Sequence, residues 1–503
     1  MTTEKPNRRH RFLKNSLYGL FSWVLPILPN IVVTPIIVKG LGDNLYGLYV
    51  VVLGVISYFF AAGIGKTVAK YIAEYRATGE TVKISDIISS TIILSLSLCL
   101  VGISIIVIFS GSIVSEVLLI PDQLHDTATT ALYLAGAIVL AVTLSQIFQF
   151  ALQGLQRFDL FLLITNLNSI LLSLGSVFAI ILGYSVLAVL VWTLVVTVII
   201  GLLSCFMARK QLPEFTFRLA PKRESWRLVW RYAASIIGYQ VFGSILLLFE
   251  RGWIVRKFGP GSLTYYAVPM ALAMYIHLFI SNLVLALFPA LNELLSEQEK
   301  LITLYKKSTK LILMSIVFAI VSAVIGGRLF LSLWLSYTFA NASYWLLVIH
   351  VFTFSLLAMN TIVWQVAESF RFAALNAIAT FLWMACSVPL MVVLSNEWQT
   401  VGVALARFAG VFVFVPMIFY VEKQFLGGAF WRFWALISVR ILAAAFLAFL
   451  AEWMIISNCP ASWVTFFIAI VLGLIIYGGA LRIAGFFDSD EIQLIRMALL
   501  RQS

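Results

Sequence analysis

Long apolar runs follow one another along almost the whole chain, and this pattern constrains its fold more than any other feature. Of the 503 residues, 62% are hydrophobic and 11% are charged, whereas soluble domains average about 45–50% and about 25%. Because a bilayer core offers no water to unpaired backbone groups, each run predicts a membrane-spanning helix. The pattern predicts an all-α polytopic membrane protein, and it excludes soluble enzymes, nucleic-acid-binding proteins and disordered chains.

The polar breaks between the runs define about fourteen predicted transmembrane helices, each close to the ~20 residues that a bilayer requires. We number them spans 1 to 14 in chain order. They cover residues 15–38, 45–63, 85–110, 127–152, 160–182, 187–207, 231–250, 263–288, 308–326, 343–366, 372–394, 401–420, 436–456 and 462–481.

The basic residues predict how these spans are oriented. With the N-terminus in the cytoplasm, 27 of the 34 Lys and Arg residues fall on the inner side and five on the outer side. Cytoplasmic loops carry an excess of Lys and Arg, so we expect both termini to be cytoplasmic. The net charge of +12 thus follows from topology, and we expect the lipid bilayer and no nucleic acid as a partner.

The cysteines and the predicted outer loops indicate whether the chain could hold a metal or catalyse a reaction. The four cysteines form no C-x-x-C pair, so we expect no metal site, no disulfide framework and no cofactor. The predicted outer loops are short, the longest lying near 111–126 and 327–342. A membrane enzyme that modifies or polymerises glycans usually needs more aqueous space than this, so no covalent chemistry is predicted.

Two weak sequence matches indicate an internal duplication. Lys39-Gly40-Leu41-Gly42 stands before Tyr49 as Arg256-Lys257-Phe258-Gly259 stands before Tyr266, and Arg157-Phe158 matches Arg371-Phe372 at nearly the same offset. An even number of spans per unit makes the repeats parallel, an arrangement that transporters use. We expect six-helix bundles at 1–208 and 231–420, a cytoplasmic amphipathic linker at 209–230, and an added helix pair with a cytoplasmic tail at 421–503.

Polar residues inside the spans predict a water-filled cavity between the bundles. Amides, hydroxyls and aromatic rings suit sugar hydroxyls, although the same side chains also join helices to one another by hydrogen bonds. The candidate glycan-lining residues are Gln146, Gln149, Asn168, Tyr239, Gln240, Tyr266, His277, Asn360 and Gln365.

Cations at the predicted outer ends of the spans are candidates for binding a diphosphate, because Arg and Lys pair with phosphate oxygens. They are Lys39, Arg251, Arg256 and Arg407. The alternative is that these side chains extend to the outer lipid headgroups. Acidic residues are nearly absent from the core of the first six spans, which favours an anionic or neutral substrate over an organic cation. Glu250 and His277 are candidates for carrying a coupling proton.

Several motifs together resemble the polysaccharide transport family, which includes O-antigen and other oligosaccharide-lipid flippases of the multidrug/oligosaccharidyl-lipid/polysaccharide exporter superfamily. The resemblance extends from the start of the chain to about Tyr420. It implies two six-helix bundles forming a V, alternating access, a bacterial cytoplasmic membrane and an undecaprenyl-diphosphate-linked glycan as cargo. The motifs are Gly40-Leu41-Gly42 with Tyr46-Gly47-Leu48-Tyr49, Lys70-Tyr71-Ile72-Ala73-Glu74-Tyr75, Leu152-Gln153-Gly154-Leu155-Gln156-Arg157-Phe158, Phe288-Pro289-Ala290-Leu291 and Leu333-Trp334-Leu335.

The function predicted from these features is that of a flippase for a lipid-diphosphate-linked oligosaccharide, acting as a monomer, with polysaccharide polymerase or export machinery as further partners. Three alternatives stay open. The chain could be an ion-coupled small-molecule or drug exporter, a peptidoglycan-precursor flippase of the same fold, or a membrane enzyme that modifies glycans.

Overall fold

The computed structural model describes residues 5–58, 61–78, 80–213, 215–219, 221–285, 291, 294–370, 372 and 374–488. Side chains are described from residue 29 onward within these ranges, apart from those of residues 57–64, 66, 77, 81–82, 231–239, 283 and 285. Helices dominate the described ranges, and none of these residues lies in a strand. The helices are α1 (Lys5–Tyr58), α2 (Ala61–Thr78), α3 (Thr81–Ser112), α4 (His125–Gly154), α5 (Phe158–Ile181), α6 (Val186–Gln211), α7 (Arg223–Phe258), α8 (Pro260–Leu285), α9 (Gln298–Trp334), α10 (Tyr337–Met359), α11 (Thr361–Ser369), α12 (Ala374–Val411), α13 (Phe414–Phe425), α14 (Trp431–Asn458) and α15 (Trp463–Ile483).

Eleven segments of the described chain are long and apolar enough to cross a membrane. Two of them contain a break in the helical backbone, at Gly42 and at Trp398–Gln399. Counting each side of those breaks as a span, and adding α7, accounts for the fourteen predicted spans. The prediction of an all-α polytopic protein with about fourteen spans is confirmed.

The breaks at Gly42 and Gly259 have the same backbone conformation. Their φ and ψ angles are 73° and 169° at Gly42 and 82° and 165° at Gly259. Residues with a Cβ rarely adopt this region, whereas glycine does so at little cost. The two glycines end the matching sequence segments of the duplication, so the repeat detected in the sequence coincides with a repeated turn of the backbone.

The chain divides into two compact units, which are described separately. The first contains residues 1–267 and 380–403, and the second contains residues 268–379 and 404–503. The boundaries predicted for the two bundles, the linker and the added helix pair stay predictions.

In the first unit, hydrogen bonds around Arg157 connect the end of α4 to three neighbouring helices. The Arg157 guanidinium donates two hydrogen bonds to the Asp159 carboxylate, at 2.9 and 2.8 Å, and one to Gln211 Oε1 at 2.6 Å. Arg76 of α2 donates to the carbonyl of Leu155 at 2.8 Å. The hydrogen bonds to Asp159 raise the pKa of Arg157 above its ordinary value. These arginines therefore join α2, α4, α5 and α6.

Part of the predicted linker lies outside any helix and contacts the start of α3. The backbone amides of Thr216 and Arg218 donate to Ser85 Oγ at 3.3 Å and to Ser89 Oγ at 3.0 Å. The Arg218 guanidinium pairs with Asp86, whose side chain is fully buried, at 2.9 Å. Because a buried carboxylate requires a compensating charge, this pair fixes the segment on α3.

In the second unit, a buried carboxylate joins three helices. Glu422 of α13 accepts hydrogen bonds from the Tyr305 hydroxyl at 2.9 Å, from the Phe430 backbone amide at 3.0 Å and from Trp434 Nε1 at 2.7 Å. Tyr305 belongs to α9, and Trp434 to α14. These three donors satisfy the buried charge and attach the start of α14 to the unit.

The exposed surface of α15 is apolar, as expected for a helix that faces lipid. Val464, Phe467, Ile468, Val471 and Ile475 of α15 are all exposed, to between 47% and 67%. A soluble protein rarely exposes such a continuous apolar surface.

Candidate functional site

Two turns that are equivalent under the internal repeat contact each other in the first unit. We call residues 42–47 and 259–264 the paired turns. Thr264 Oγ1 donates to the carbonyl of Asp43 at 2.6 Å. A Cβ atom placed on Gly47 would lie 1.8 Å from the carbonyl oxygen of Pro260, so only glycine permits this approach. When Gly42 is aligned with Gly259, Asp43 corresponds to Pro260 and Gly47 to Thr264.

The contact between the paired turns is therefore reciprocal. Position 264 of the second turn meets position 43 of the first, and position 47 of the first meets position 260 of the second. Such reciprocity is the property of an interface related by a two-fold axis. Two further contacts extend it. The Tyr265 hydroxyl donates to Asp43 Oδ2 at 2.5 Å, and a Cβ on Gly261 would lie 3.6 Å from the Asp43 Cβ.

A polar cluster of the same unit joins α7, α8 and α1. Glu250 and Tyr266 are both fully buried, and the Tyr266 hydroxyl donates to Glu250 Oε1. The neighbouring residue, Arg251, is half-buried and donates to the carbonyl of Val50 at 2.5 Å. The structure thus brings three predicted site residues together within two successive helices.

The other predicted diphosphate cations of this unit lie at its surface. Arg256 is exposed, and its guanidinium donates to the carbonyls of Glu116 and Val117, the latter at 3.0 Å. Lys257, the residue after Arg256, donates to Ser395 Oγ at 3.2 Å and to Asn396 Oδ1. Lys39 is exposed on α1 just before Gly42. Arg256 and Lys257 thus already have acceptors within the protein.

The predicted cavity residues of α4 and α5 are partly buried. Gln149 Nε2 donates to Ser145 Oγ of its own helix at 2.9 Å. The side-chain oxygen of Gln146 is buried and accepts no hydrogen bond from the described part of the chain, and the same holds for Asn166. Asn168 and Gln240 are half-buried. The side chain of Tyr239 lies outside the described residues.

In the second unit, Arg407 of α12 is only 5% exposed. The central carbon of its guanidinium lies 5.6 Å from the centre of the Phe354 ring, within the distance of a cation–π interaction. His277 of α8 lies 6.4 Å from the same ring, measured between ring centres, and 3.3 Å from Ser281 Oγ. Phe354 therefore connects two of the predicted site residues.

Two predicted amides of the second unit have different environments. Asn360 is 2% exposed, its amide nitrogen lies 3.8 Å from the Met417 sulfur, and its side-chain oxygen accepts no hydrogen bond from the described residues. Gln365 is half-buried in α11. One turn further along α11, Glu368 accepts a hydrogen bond from Trp364 Nε1 at 3.0 Å. No group of three or more metal-ligating side chains occurs within the ranges that the structure describes.

Sequence reasoning missed three residues that organise these regions, namely Asp43, Phe354 and Glu422. Asp43 and Phe354 carry no sequence signal beyond their positions next to a turn and in an apolar run. Glu422 could have been found, because an acidic residue at the end of an apolar run needs partners.

The chain matches the family model described as "Polysaccharide biosynthesis protein" over residues 12–295. This match covers more than half of the 503 residues, and the chain belongs to that family. It is a multi-pass membrane protein of this polysaccharide biosynthesis family. The family predicted from the sequence motifs is confirmed.

Individual relatives agree with this assignment. A Shigella flexneri protein named "Putative O-antigen transporter" is 23% identical over 292 residues, which are 56% of this chain and 67% of that protein. The structure of the lipid II flippase MurJ in an inward closed conformation matches with a TM-score of 0.70 at 13% identity, over 93% of this chain and 98% of MurJ. An inward-facing multidrug resistance MATE family transporter of the MOP superfamily matches with a TM-score of 0.67 at 17% identity, over 81% and 99%. At these identities the structural matches establish the fold alone.

Proposed function

We propose that this protein moves a lipid-diphosphate-linked oligosaccharide from the inner to the outer leaflet of the bacterial cytoplasmic membrane by alternating access. Membership of the polysaccharide transport family supports the cargo class. The protein performs no covalent chemistry in this proposal, because its relatives are transporters and flippases. With both termini in the cytoplasm, the paired turns lie on the outer side of the membrane.

The reciprocal contact of the paired turns is the observation that carries the proposal. A carrier built from two parallel repeats has to close and open one side of its substrate path, and reciprocal contacts between equivalent turns form a closure of that kind. Its hydrogen bonds are few and lie at helix ends, so a rigid-body movement can break them together. Opening would separate Asp43 from Thr264 and Tyr265.

In this proposal, Arg251 and Arg407 attract the diphosphate. Arg251 is half-buried and lies next to the buried Glu250–Tyr266 pair, and Arg407 is buried against an aromatic ring. Lys39 stays a candidate because it is exposed near the paired turns. Arg256 has a smaller role, since its guanidinium already binds two backbone carbonyls.

The glycan would contact the amides and hydroxyls predicted to line its path. Gln146 and Asn360 support this part, because each has a buried side-chain oxygen with no donor among the described residues. Buried polar atoms are nearly always satisfied, and a sugar hydroxyl or water would satisfy these. Gln149, Asn168, Tyr239, Gln240, Tyr266, His277 and Gln365 complete the proposed lining. Glu250 and His277 are the proposed carriers of a coupling proton.

A reversible cross-link across the paired turns tests alternating access. The distance of 3.6 Å between a Gly261 Cβ and the Asp43 Cβ fits a disulfide, whose Cβ atoms lie about 3.5–4.5 Å apart. In a background with the native cysteines replaced, Asp43→Cys/Gly261→Cys should restore surface polysaccharide in a deletion strain under reducing conditions. Oxidation should abolish transport, and a reductant should restore it.

The two single-cysteine variants are the matched controls, because oxidation cannot cross-link either one within a monomer. Both should transport equally well with and without oxidant. If the doubly substituted protein is fully cross-linked and still transports, the paired turns do not open, and alternating access through them is wrong.

The identity of the cargo requires a different measurement. Deleting the gene should cause a lipid-diphosphate-linked oligosaccharide to accumulate in the inner leaflet, where mass spectrometry can identify it. Arg251→Glu/Arg407→Glu should give the same accumulation at normal membrane levels, because reversed charges repel the diphosphate. Full transport by this variant would remove both arginines from the mechanism.

Other outcomes would favour the alternatives. Accumulation of a peptidoglycan precursor, together with growth arrest, would identify a flippase for that lipid. Accumulation of cationic drugs in cells lacking the gene would identify an exporter. A new glycosidic or ester bond formed by the purified protein would identify an enzyme.

A further inference from the structure

A cavity of about 260 Å³ lies in the second unit between α9, α14 and the segment after α15. Its volume is below the range of about 300–1,000 Å³ that is typical of drug-sized ligands. It therefore suits a small charged group better than an oligosaccharide. The cavity is lined chiefly by Lys306, Lys307, Lys310, Phe433, Arg440 and Phe486.

The charge of this cavity is strongly positive. Among the described residues of its lining, four are cations and Asp488 is the one acidic residue. Lys310 pairs with Asp488 at 3.5 Å, and Arg440 donates to the carbonyl of Gly485 at 2.6 Å. Lys306 and Lys307 form no ion pair and no hydrogen bond with the described part of the chain. Two ammonium groups thus have donors available for an anion.

Aromatic rings lie beside two of the lysines, Lys306 and Lys310. The Lys306 ammonium lies 4.3 Å from the centre of the Phe430 ring, and the Lys310 ammonium lies 5.0 Å from that of Phe486. Trp431 and Trp434 follow at the start of α14. Rings of this kind are concentrated at the level of the lipid headgroups, so the cavity is placed at the surface of the bilayer.

An apolar surface adjoins the cations. Leu436 lines the cavity and is 55% exposed, and Val439, which follows on the same helix, is 68% exposed. A ligand seated on the lysines would therefore have apolar side chains beside it. Basic pockets between membrane helices on the cytoplasmic side are known to bind phosphate headgroups.

We infer that this cavity binds the phosphate of an anionic membrane phospholipid, with Lys306 and Lys307 as its main donors. The phosphate would occupy the cationic cavity while the acyl chains lie along the exposed surface of α14. A free phosphate ion would use the same cations but not the apolar surface, so the two sources can be separated. This site is independent of the proposed transport of a glycan.

Native mass spectrometry of the purified full chain in detergent provides the test. Phosphatidylglycerol, phosphatidylcholine and inorganic phosphate are titrated separately against the wild type. Phosphatidylglycerol should bind about tenfold more tightly than phosphatidylcholine, since its net charge pairs with the ammonium groups. A matched molar excess of inorganic phosphate should not displace it, because phosphate lacks acyl chains.

The variant Lys306→Gln/Lys307→Gln should lose about tenfold in affinity for phosphatidylglycerol. The control, Lys300→Gln/Lys423→Gln, removes the same charge from exposed lysines outside the cavity and should bind like the wild type. Equal affinity of both variants would overturn the assignment. So would equal binding of phosphatidylcholine, or displacement by inorganic phosphate. Thermal unfolding of each variant establishes that it is folded before titration.

Discussion

The two units of the molecule each contain a basic cavity, and the cations of the two cavities have different environments. The cavity of the first unit, about 270 Å³ in volume, is lined by Arg76 and Arg157. Both arginines donate to acceptors of the protein itself. In the cavity of the second unit, Lys306 lies against the Phe430 ring, and neither Lys306 nor Lys307 donates a hydrogen bond to a described residue. Whether a cluster of cations stabilises the fold or can bind a ligand therefore depends on whether the protein itself supplies their hydrogen-bond acceptors.

The anions of the two units differ as well. In the first unit, Asp86 and Asp159 pair with Arg218 and Arg157, so each cation of this region helps to hold the fold. In the second unit, the buried carboxylate of Glu422 accepts hydrogen bonds from neutral donors, and Asp488 pairs with Lys310, whereas Lys306 and Lys307 form no ion pair with a described residue. We therefore expect charge removal to destabilise the first region and to change ligand binding in the second.

The largest loss of stability is expected from Glu422→Ala. It removes three hydrogen bonds at a fully buried site and leaves Trp434 Nε1 and the Phe430 amide without their acceptor. Breaking a buried charged network costs about 3–5 kcal/mol. Because the lost partners are neutral, we expect the free energy of unfolding of Glu422→Ala to fall by about 3 kcal/mol. Thermal unfolding in detergent measures this loss of stability. Glu422→Gln, which keeps an acceptor oxygen, should lose less, and equal losses would mean that the charge itself is required.

The next largest effect is expected from Arg218→Ala, which leaves the buried Asp86 unpaired. The Arg218 side chain is 37% exposed, so water relieves part of the cost, and we expect about 2 kcal/mol. Limited proteolysis near residue 218 should accelerate in parallel with the loss of thermal stability. Arg227→Ala, at a neighbouring exposed arginine, serves as the control. If the two variants unfold at the same temperature, the pair with Asp86 does not fix the segment on α3.

How much of this could be predicted from the sequence depends on the range of the interaction. The spans follow from local hydropathy, and the turns at Gly42 and Gly259 lie in a repeat that the amino-acid sequence itself shows. By contrast, Arg157 pairs with Gln211 across 54 residues and Arg218 with Asp86 across 132. No periodicity marks such partners, because they are set by the packing of helices that are distant in the chain.

The candidate site illustrates the same limit. Residue type and depth in a span suffice to select Arg407, but its environment depends on Phe354, a residue of another apolar run that looks like any other. Lys306 and Lys307 look like a solvated helix end in the sequence, and only the rings of α14 and the segment after α15 turn them into the wall of a cavity. The break within α12 falls between predicted spans 11 and 12, but its backbone conformation was not predictable, since Gln399 has a positive φ of 47° without being a glycine.

A smaller effect is expected from Arg76→Ala, which removes one charged hydrogen bond to the carbonyl of Leu155. Arg76 is exposed, so we expect a loss of about 1 kcal/mol. Thermal unfolding checks the value against Lys70→Ala, an exposed cation of the same helix. If Arg76→Ala loses thermal stability and Lys70→Ala does not, a cation that lines the first cavity has a structural role. That result would sharpen the contrast between the cavities of the two units.

The smallest effect on stability is expected from Lys306→Gln/Lys307→Gln in the second cavity. Neither lysine donates a hydrogen bond to a described residue, and removing two like charges from one cavity relieves repulsion between them. This relief of repulsion nearly cancels the loss of the cation–π contact with Phe430. The free energy of unfolding of the lipid-free protein should therefore change by less than about 0.5 kcal/mol. In phosphatidylglycerol the wild type should gain thermal stability over the variant, because a ligand that binds only the folded state stabilises it. A large loss without lipid would instead make this cavity structural, like that of the first unit, and the contrast between the two units would disappear.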